Sequence, residues 1–324
     1  MKKVHLVIAD LFLPQELGAA TGLALPYLEK LLARGKSATL PAVPVEDLLC
    51  GMFGVVAAAP VSARFDALGE GCWMRADPVH LRLQREQVVL LPNVAVEDDE
   101  ARLFCASLSE HFAADGLEFF APHPERWYVR FRELPDVRTA PLSQAAGRNI
   151  RGHLPSGPGA RLLQQIFNEA QMLLHAHRLN EAREDRNALP VNGLWFWGGG
   201  QEPGTVQCDF GAASSDDVLV QMLAEFADIP FVPWQAEWRH DADLLVWGGL
   251  RSALKRGDLD AWRAALQAFE SGYAKPLWQA LKSGKIASLE IDILGADGMR
   301  RVNLRRADAF AFWRRSRRLS GYSA

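Results

Sequence analysis

The order in which apolar segments of two different periods follow one another limits this chain more than any other feature. Residues 4–9, VHLVIA, are a short, partly β-branched apolar run that ends in a loop. Residues 24–34, ALPYLEKLLAR, then place Leu25, Leu28, Leu31 and Leu32 on one helical face. Pro26 suits the first turn of that helix and Gly35 its end. A strand followed by an amphipathic helix opens an α/β layer, in which the helix covers one face of a sheet. The pattern returns late in the chain. Ser214 to Phe226 reads as a helix with Ser215 as N-cap, DADLLVW (241–247) as a strand, and 258–283 as a helix bent around Pro276. IASLEIDIL (286–294) and MRRVNLRR (299–306) read as a hairpin turning at Ala296, Asp297 and Gly298, with a short helix after it.

Between Ala57 and about Arg151 the character changes. VHLRLQ (79–84) and QVVLLP (87–92) predict two strands about a turn at Arg85 and Glu86. A helix follows, capped by Asp98 or Asp99 and ended by Gly116; LEFFAP and RWYVRF are two more strands joined at Pro122, His123 and Pro124. This β-β-α-β-β order predicts an α+β unit with an antiparallel sheet. Residues 161–179 predict one long amphipathic helix, and Leu194–Trp197 a strand before the glycine run 198–200. The expected organisation is an α/β core made of residues 1–58 and 200–324, interrupted by an inserted α+β domain over 59–199.

Hydrophobic residues make up 49% of the 324 residues and charged residues 23%, which excludes a wholly disordered chain. A net charge of −3 gives no global basic field for nucleic acid, so nucleic acid is not expected except through the basic C-terminus. That segment holds Arg300, Arg301, Arg305, Arg306, Arg314, Arg315, Arg317 and Arg318, and its plainer reading is a solvated face whose few aromatic residues are packed. No apolar run approaches the roughly 18 residues of a membrane span, and MKKVHLVIADLFLP reads as a first strand rather than a leader. The expectation is a cytoplasmic protein without a membrane partner. The four cysteines, Cys50, Cys72, Cys105 and Cys208, form no CxxC pair and read as reduced thiols.

Arg75, Asp77 and His80 lie within WMRADPVHL. They could bind an anion or carboxylate through the Arg75 fork, or pair locally around a turn at Pro78. His175 and His177, two apart, point to different helix faces, which excludes an i,i+4 zinc pair. His177, Asn180 and Arg183 recur at spacings of three and share a face if the helix continues. They are candidate contacts to a phosphorylated or carboxylate small molecule, or else mark a helix end. Asn192 with Gly198, Gly199 and Gly200 permits close backbone approach to a ligand, or a tight crossover between domains, and matches no nucleotide motif. Ser37, Thr39, Ser62 and Ser143 are available as nucleophiles, but none has a recognisable base beside it, so the catalytic residue is unknown.

GCWMRADPVHLRL, ERWYVRF, FNEAQMLLHAHRLNEARE and PVNGLWFWGGG resemble the bacterial regulatory proteins of the RpfE type, which are described as phosphoglycerate-mutase-like. A more distant likeness is to archaeal-type cofactor-independent phosphoglycerate mutases of the alkaline-phosphatase-like superfamily. It rests on His177, Asn180, Arg183, Pro190, Asn192, Gly198 and Gly200, which resemble that family's HPxNxxR, P-x-N and glycine-rich words, and on ALPYLEKLLARG. The resemblance implies an alkaline-phosphatase-like α/β fold, with a mostly β central sheet flanked by helices. It also implies chemistry with two divalent metals, Mn or Mg, and a serine nucleophile. The metal-ligand words depart from the family pattern. Asp10 is followed by Leu-Phe-Leu-Pro rather than glycine and further acids, DADLLVW ends in Trp247, and His240 is the last histidine. Asp10 remains a weak metal candidate and no cofactor is expected. The reading is a degenerate mutase-like protein that binds a ligand or a protein partner, set against an active mutase or phosphatase and against an interaction module without a small ligand.

Overall fold

The computed structural model describes residues 2–13, 19–92, 94–201, 204, 206, 208–255, 257–295 and 298–322. Its strands are β1 (Lys2–Ala9), β2 (Lys36–Leu40), β3 (Cys72–Gln84), β4 (Gln87–Leu91), β5 (Glu118–His123), β6 (Arg126–Phe131), β7 (Gly193–Gln201), β8 (Ala213–Ser215), β9 (Phe231–Pro233), β10 (Leu244–Trp247), β11 (Ile286–Leu294) and β12 (Met299–Arg305). Its helices are α1 (Pro26–Arg34), α2 (Val45–Met52), α3 (Ala58–Phe65), α4 (Asp98–His111), α5 (Leu142–Ala145), α6 (Ala160–His175), α7 (Arg178–Asp185), α8 (Val218–Phe226), α9 (Gly249–Lys255), α10 (Leu259–Phe269) and α11 (Lys275–Ser283). They form two compact units, Met1–Leu49 with Gln207–Ala324, and Cys50–Val206.

In the first unit seven strands lie in the order β2-β12-β11-β1-β10-β8-β9. β1 runs parallel to β10 and β11, while β12 and β2 add antiparallel edges. Strand parity decides what faces what. Val4, Leu6 and Ile8 of β1 join Leu289, Ile291 and Ile293 of β11 in one core with α1, α10 and α11. Their neighbours His5, Glu290 and Asp292 therefore share the opposite face. Gly35 ends α1 with an ordinary negative φ, so its lack of a side chain serves packing: a Cβ there would lie 2.2 Å from Val302 Cγ1.

The second unit is built on β3, flanked by β6 and β7 over its first half and by β4 after it, with β5 beyond β6. Pro78 sits inside β3 rather than at a turn. It faces Leu194 of β7, and on its other side β6 has ended and β4 has not begun, so its missing N–H breaks no ladder.

Several expectations are corrected. Residues 161–179 are not one helix: α6 stops at His175, and His177 caps a separate α7 by accepting from the Leu179 N–H at 3.2 Å. Ser215 is not a helix cap but part of β8; Asp217 caps α8 through the Leu219 N–H at 2.9 Å. The cap of α4 is Glu97, in a reciprocal capping box with Glu100, not Asp98 or Asp99. The glycine run is the end of strand β7, not a loop. Residues 307–319 form no α-helix: a 3-10 turn over Arg306–Phe310 gives way to irregular chain before another at Leu319–Gly321. The bend expected at Pro276 is a wide helical turn, Glu270–Ala274, between α10 and α11. The β11–β12 hairpin forms as expected, with Ala296 and Asp297 of its turn outside the described residues.

Candidate functional site

In the second unit Arg75 and Asp77 of β3 are buried. Arg75 donates to Asp77 Oδ1 through Nε at 3.1 Å and Nη2 at 2.5 Å, and the Trp197 indole donates to Asp77 Oδ2 at 2.7 Å. The Arg75 guanidinium lies over the Tyr128 and Trp197 rings, 5.1 and 5.2 Å from their centroids. Burial pushes the Asp77 carboxyl above the usual range, against the pull of Arg75 and the indole. Tyr128 hands the network on: its hydroxyl donates to Asp66 Oδ2 at 2.6 Å, and Arg126 grips the same carboxylate at 3.0 and 2.7 Å. Burial raises the Tyr128 phenol, so it stays a neutral donor. Of the sequence candidates, Arg75 and Asp77 thus meet directly, in the local pair that was one of their two readings.

The other candidates of this unit are spent on holding backbone. Asn192 of the segment before β7 spans Leu81, accepting from its N–H at 2.6 Å and donating to its carbonyl at 3.0 Å. His80 Nδ1 lies 3.0 Å from the Pro190 carbonyl. Asn180 donates to the Leu174 and Val191 carbonyls and accepts from the Val191 N–H, tying the end of α6 to the approach to β7. Arg183 is fully buried. It donates to Glu100 Oε2 at 2.5 Å and to the Leu189, Val94 and Ala95 carbonyls. Glu100 also pairs with Arg186; although burial opposes its charge, the Glu97 N–H and the two arginines hold it below the usual carboxylate range. Gly199 and Gly200 press on protein: Cβ atoms there would fall 2.6 Å from Met74 Cε and 2.5 Å from Ala57 Cβ. Only Gly198 has a positive φ, of 65°.

Asp10 belongs to the first unit, just past β1, with a φ of 60°. Its N–H bonds the Leu294 carbonyl at 3.0 Å and its carboxylate accepts from Arg251 Nε at 3.0 Å. Past β8, Asp216 accepts from the Gly248 N–H at 2.7 Å, and burial raises its carboxyl against that bond and the field of Arg251. Trp247, ending β10, is buried in a stack with Phe269 at 4.4 Å and Trp234 at 6.1 Å. Among the described residues, one group of His, Cys, Asp or Glu brings three ligand atoms together: His5, Glu290 and Asp292. Arg301 already holds that group, donating to both oxygens of Asp292 at 2.7 Å and lying 3.5 Å from Glu290. Sequence reasoning missed this cluster, although strand parity in VHLVIA and IASLEIDIL predicts three polar side chains on one sheet face.

No family model matches the chain. It is 33% identical over 67 residues to a probable 2,3-bisphosphoglycerate-independent phosphoglycerate mutase of Geobacter sulfurreducens, covering 21% of this chain and 17% of that protein. It is 24% identical over 210 residues to the 2,3-bisphosphoglycerate-independent phosphoglycerate mutase of Methanosarcina acetivorans, covering 58% and 52%. The chain is therefore a distant relative of these mutases. It matches about half the length of the longer-aligned relatives or less. The structure of the PH0037 protein from Pyrococcus horikoshii superposes with a TM-score of 0.51 at 13% identity, over 94% of this chain and 88% of that one. The fold is the expected mixed α/β one, a mostly β core flanked by helices, and it is shared with that structure.

The donor set tests whether two divalent cations fit. A hard dication needs several oxygen or imidazole ligands to replace its hydration shell. At the end of β1 the single carboxylate of Asp10 faces a guanidinium, and the end of β10 is closed by a packed indole. Among the described residues, the donors at these two strand ends do not fit a binuclear centre.

Proposed function

We propose that this chain is a phosphoglycerate-mutase-like protein without the metal-dependent transfer chemistry, acting as a ligand-binding or regulatory protein of the RpfE type. The observation that carries the reading is the Asp10–Arg251 pair. A fixed positive charge beside that carboxylate repels a dication and engages one of the oxygens that would bind it. The resemblance of the tryptophan, histidine and asparagine words to RpfE-type proteins supports the regulatory half of the reading. A phosphorylated or carboxylate small molecule remains the expected ligand class, as it suits a scaffold related to phosphoglycerate mutases.

The test measures metal content and mutase turnover of the purified full chain with and without manganese, beside a thermal-shift screen with 3-phosphoglycerate. The expected result is less than one equivalent of bound metal, no turnover, and a melting shift with the phosphorylated acid. Two tightly bound ions, with turnover abolished by Asp10→Asn, would show an active mutase instead. Absent metal, absent turnover and absent shift together would favour a protein-interaction module.

A further inference from the structure

The segment after β12 inverts the usual order of a folded chain. Its small residues point in and its large apolar ones point out: Ala309 and Ala311 are buried, whereas Phe310, Phe312 and Trp313 are 50%, 80% and 69% exposed. The tip is held by its own backbone, with Ala311 N–H bonded to the Asp308 carbonyl at 3.1 Å and Arg314 N–H to the Ala311 carbonyl at 3.0 Å. Arg314 reaches back to the Arg34 carbonyl, and Leu319 is buried beyond it. The aromatic side chains are thus presented by an anchored turn.

Along the segment itself the charge is almost all positive, and Arg318 also lies 3.9 Å from the buried Glu29. Between residues 298 and 322 lie eight arginines and one acidic residue, Asp308. Asp308 is engaged by the Arg305 N–H at 2.9 Å and lies 3.5 Å from Arg314. Arg305, Arg306, Arg315, Arg317 and Arg318 are exposed. We propose that Phe310, Phe312 and Trp313 form a wedge that enters the interface of an anionic phospholipid bilayer, with these arginines on the headgroups. Aromatic side chains favour that depth, and arginines beside them gain from the negative surface potential. No helix among the described residues is long and apolar enough to cross a membrane, and a surface wedge requires none. Single-stranded nucleic acid fits less well. The Phe312 and Trp313 rings meet edge to face at 79° with centroids 5.3 Å apart, which offers no pair of parallel faces for successive bases.

The experiment is co-sedimentation of the full chain with vesicles of phosphatidylcholine alone and with one-third phosphatidylserine, beside fluorescence anisotropy on a single-stranded oligonucleotide. Expected is pelleting with the anionic vesicles only, weakened by salt. The Phe312→Ser/Trp313→Ser variant and, separately, the Arg315→Glu/Arg317→Glu variant are each expected to lower it roughly tenfold or more, at about fivefold per arginine near the surface. All these side chains are exposed, and unchanged thermal melts would confirm that the variants fold. Equal pelleting with neutral and anionic vesicles, or wild-type pelleting by both double variants, would overturn the wedge. So would oligonucleotide binding that needs Phe312 and Trp313 while no vesicle is bound.

Discussion

Arg183 shows how much structure one side chain can carry. Its guanidinium meets one carboxylate and three carbonyls contributed by α4, the segment before it and the approach to β7, with no exposed surface. Its removal leaves Glu100 with the Glu97 N–H and with Arg186, and strips several buried carbonyls of their donor. Arg183→Ala is expected to cost about 3–5 kcal/mol, the range for breaking a buried ion pair. Urea unfolding followed by circular dichroism would measure it. Arg183→Lys should recover only part of this, because an ammonium cannot span four acceptors set for a planar fork. A stability change within experimental error in Arg183→Ala would disprove the anchoring role. The sequence made Arg183 conspicuous through its spacing from His177 and Asn180, but spacing does not say whether a fork faces solvent or protein. Leu189 is six residues away, but Glu100 and the Val94 and Ala95 carbonyls lie more than eighty residues away, so that part of the answer could not be read locally.

At the scale of elements, the joint between α10 and α11 does more than bend. Glu270, in the wide turn, accepts from the N–H groups of Tyr27 and Leu28 at 2.6 and 2.9 Å. It thereby caps α1, whose own N-cap position is Leu25 and supplies no side-chain bond. In the same turn, Gly272 accepts from the Trp238 N–H at 3.0 Å, and a Cβ on it would sit 2.1 Å from the Ala236 carbonyl oxygen. Backbone cannot yield as a flexible side chain can. Gly272→Ala is therefore expected to destabilise by about 1–3 kcal/mol or more, and an unchanged urea midpoint would refute the close approach. The apolar period that predicts a bent helix here was legible. The extra residue in the turn was not, because its stabilising partners are the N–H groups of α1, more than two hundred residues away. The same holds for α6 and α7: the period runs on past His175, and only the capping geometry of His177 marks the break.

Over the whole molecule, the two compact units carry different acid-sensitive groups. His177 accepts the Leu179 N–H on Nδ1, so its neutral form bears the proton on Nε2, 3.0 Å from Ser107 Oγ. Burial lowers its pKa from 6.5. A histidine depressed in the folded state stabilises fully above its unfolded pKa, and that contribution is lost as pH falls below about 6.5, because the unfolded chain then takes up the proton first. In the other unit, Asp292 is buried, which pushes its carboxyl up, yet hydrogen bonds from His5 and Arg301 outweigh this and leave it below the usual value of 3.8. Its contribution is present above about 3.8 and fades only as pH falls further. Segment-resolved hydrogen exchange between pH 7 and 5 should therefore show faster opening around α7, by about 1 kcal/mol for a lost cap, while β1 and β11 keep their protection. Parallel loss of protection in both segments across that range would contradict the assignment of these groups. The strand and helix order that places the two units was open to sequence reasoning because it depends on local period. The partners of the buried carboxylate Asp292 were not, because His5 and Arg301 lie on strands that adjoin β11 only in the folded sheet, and neither was the pairing of Asp10 with Arg251 of α9, which comes from 241 residues away.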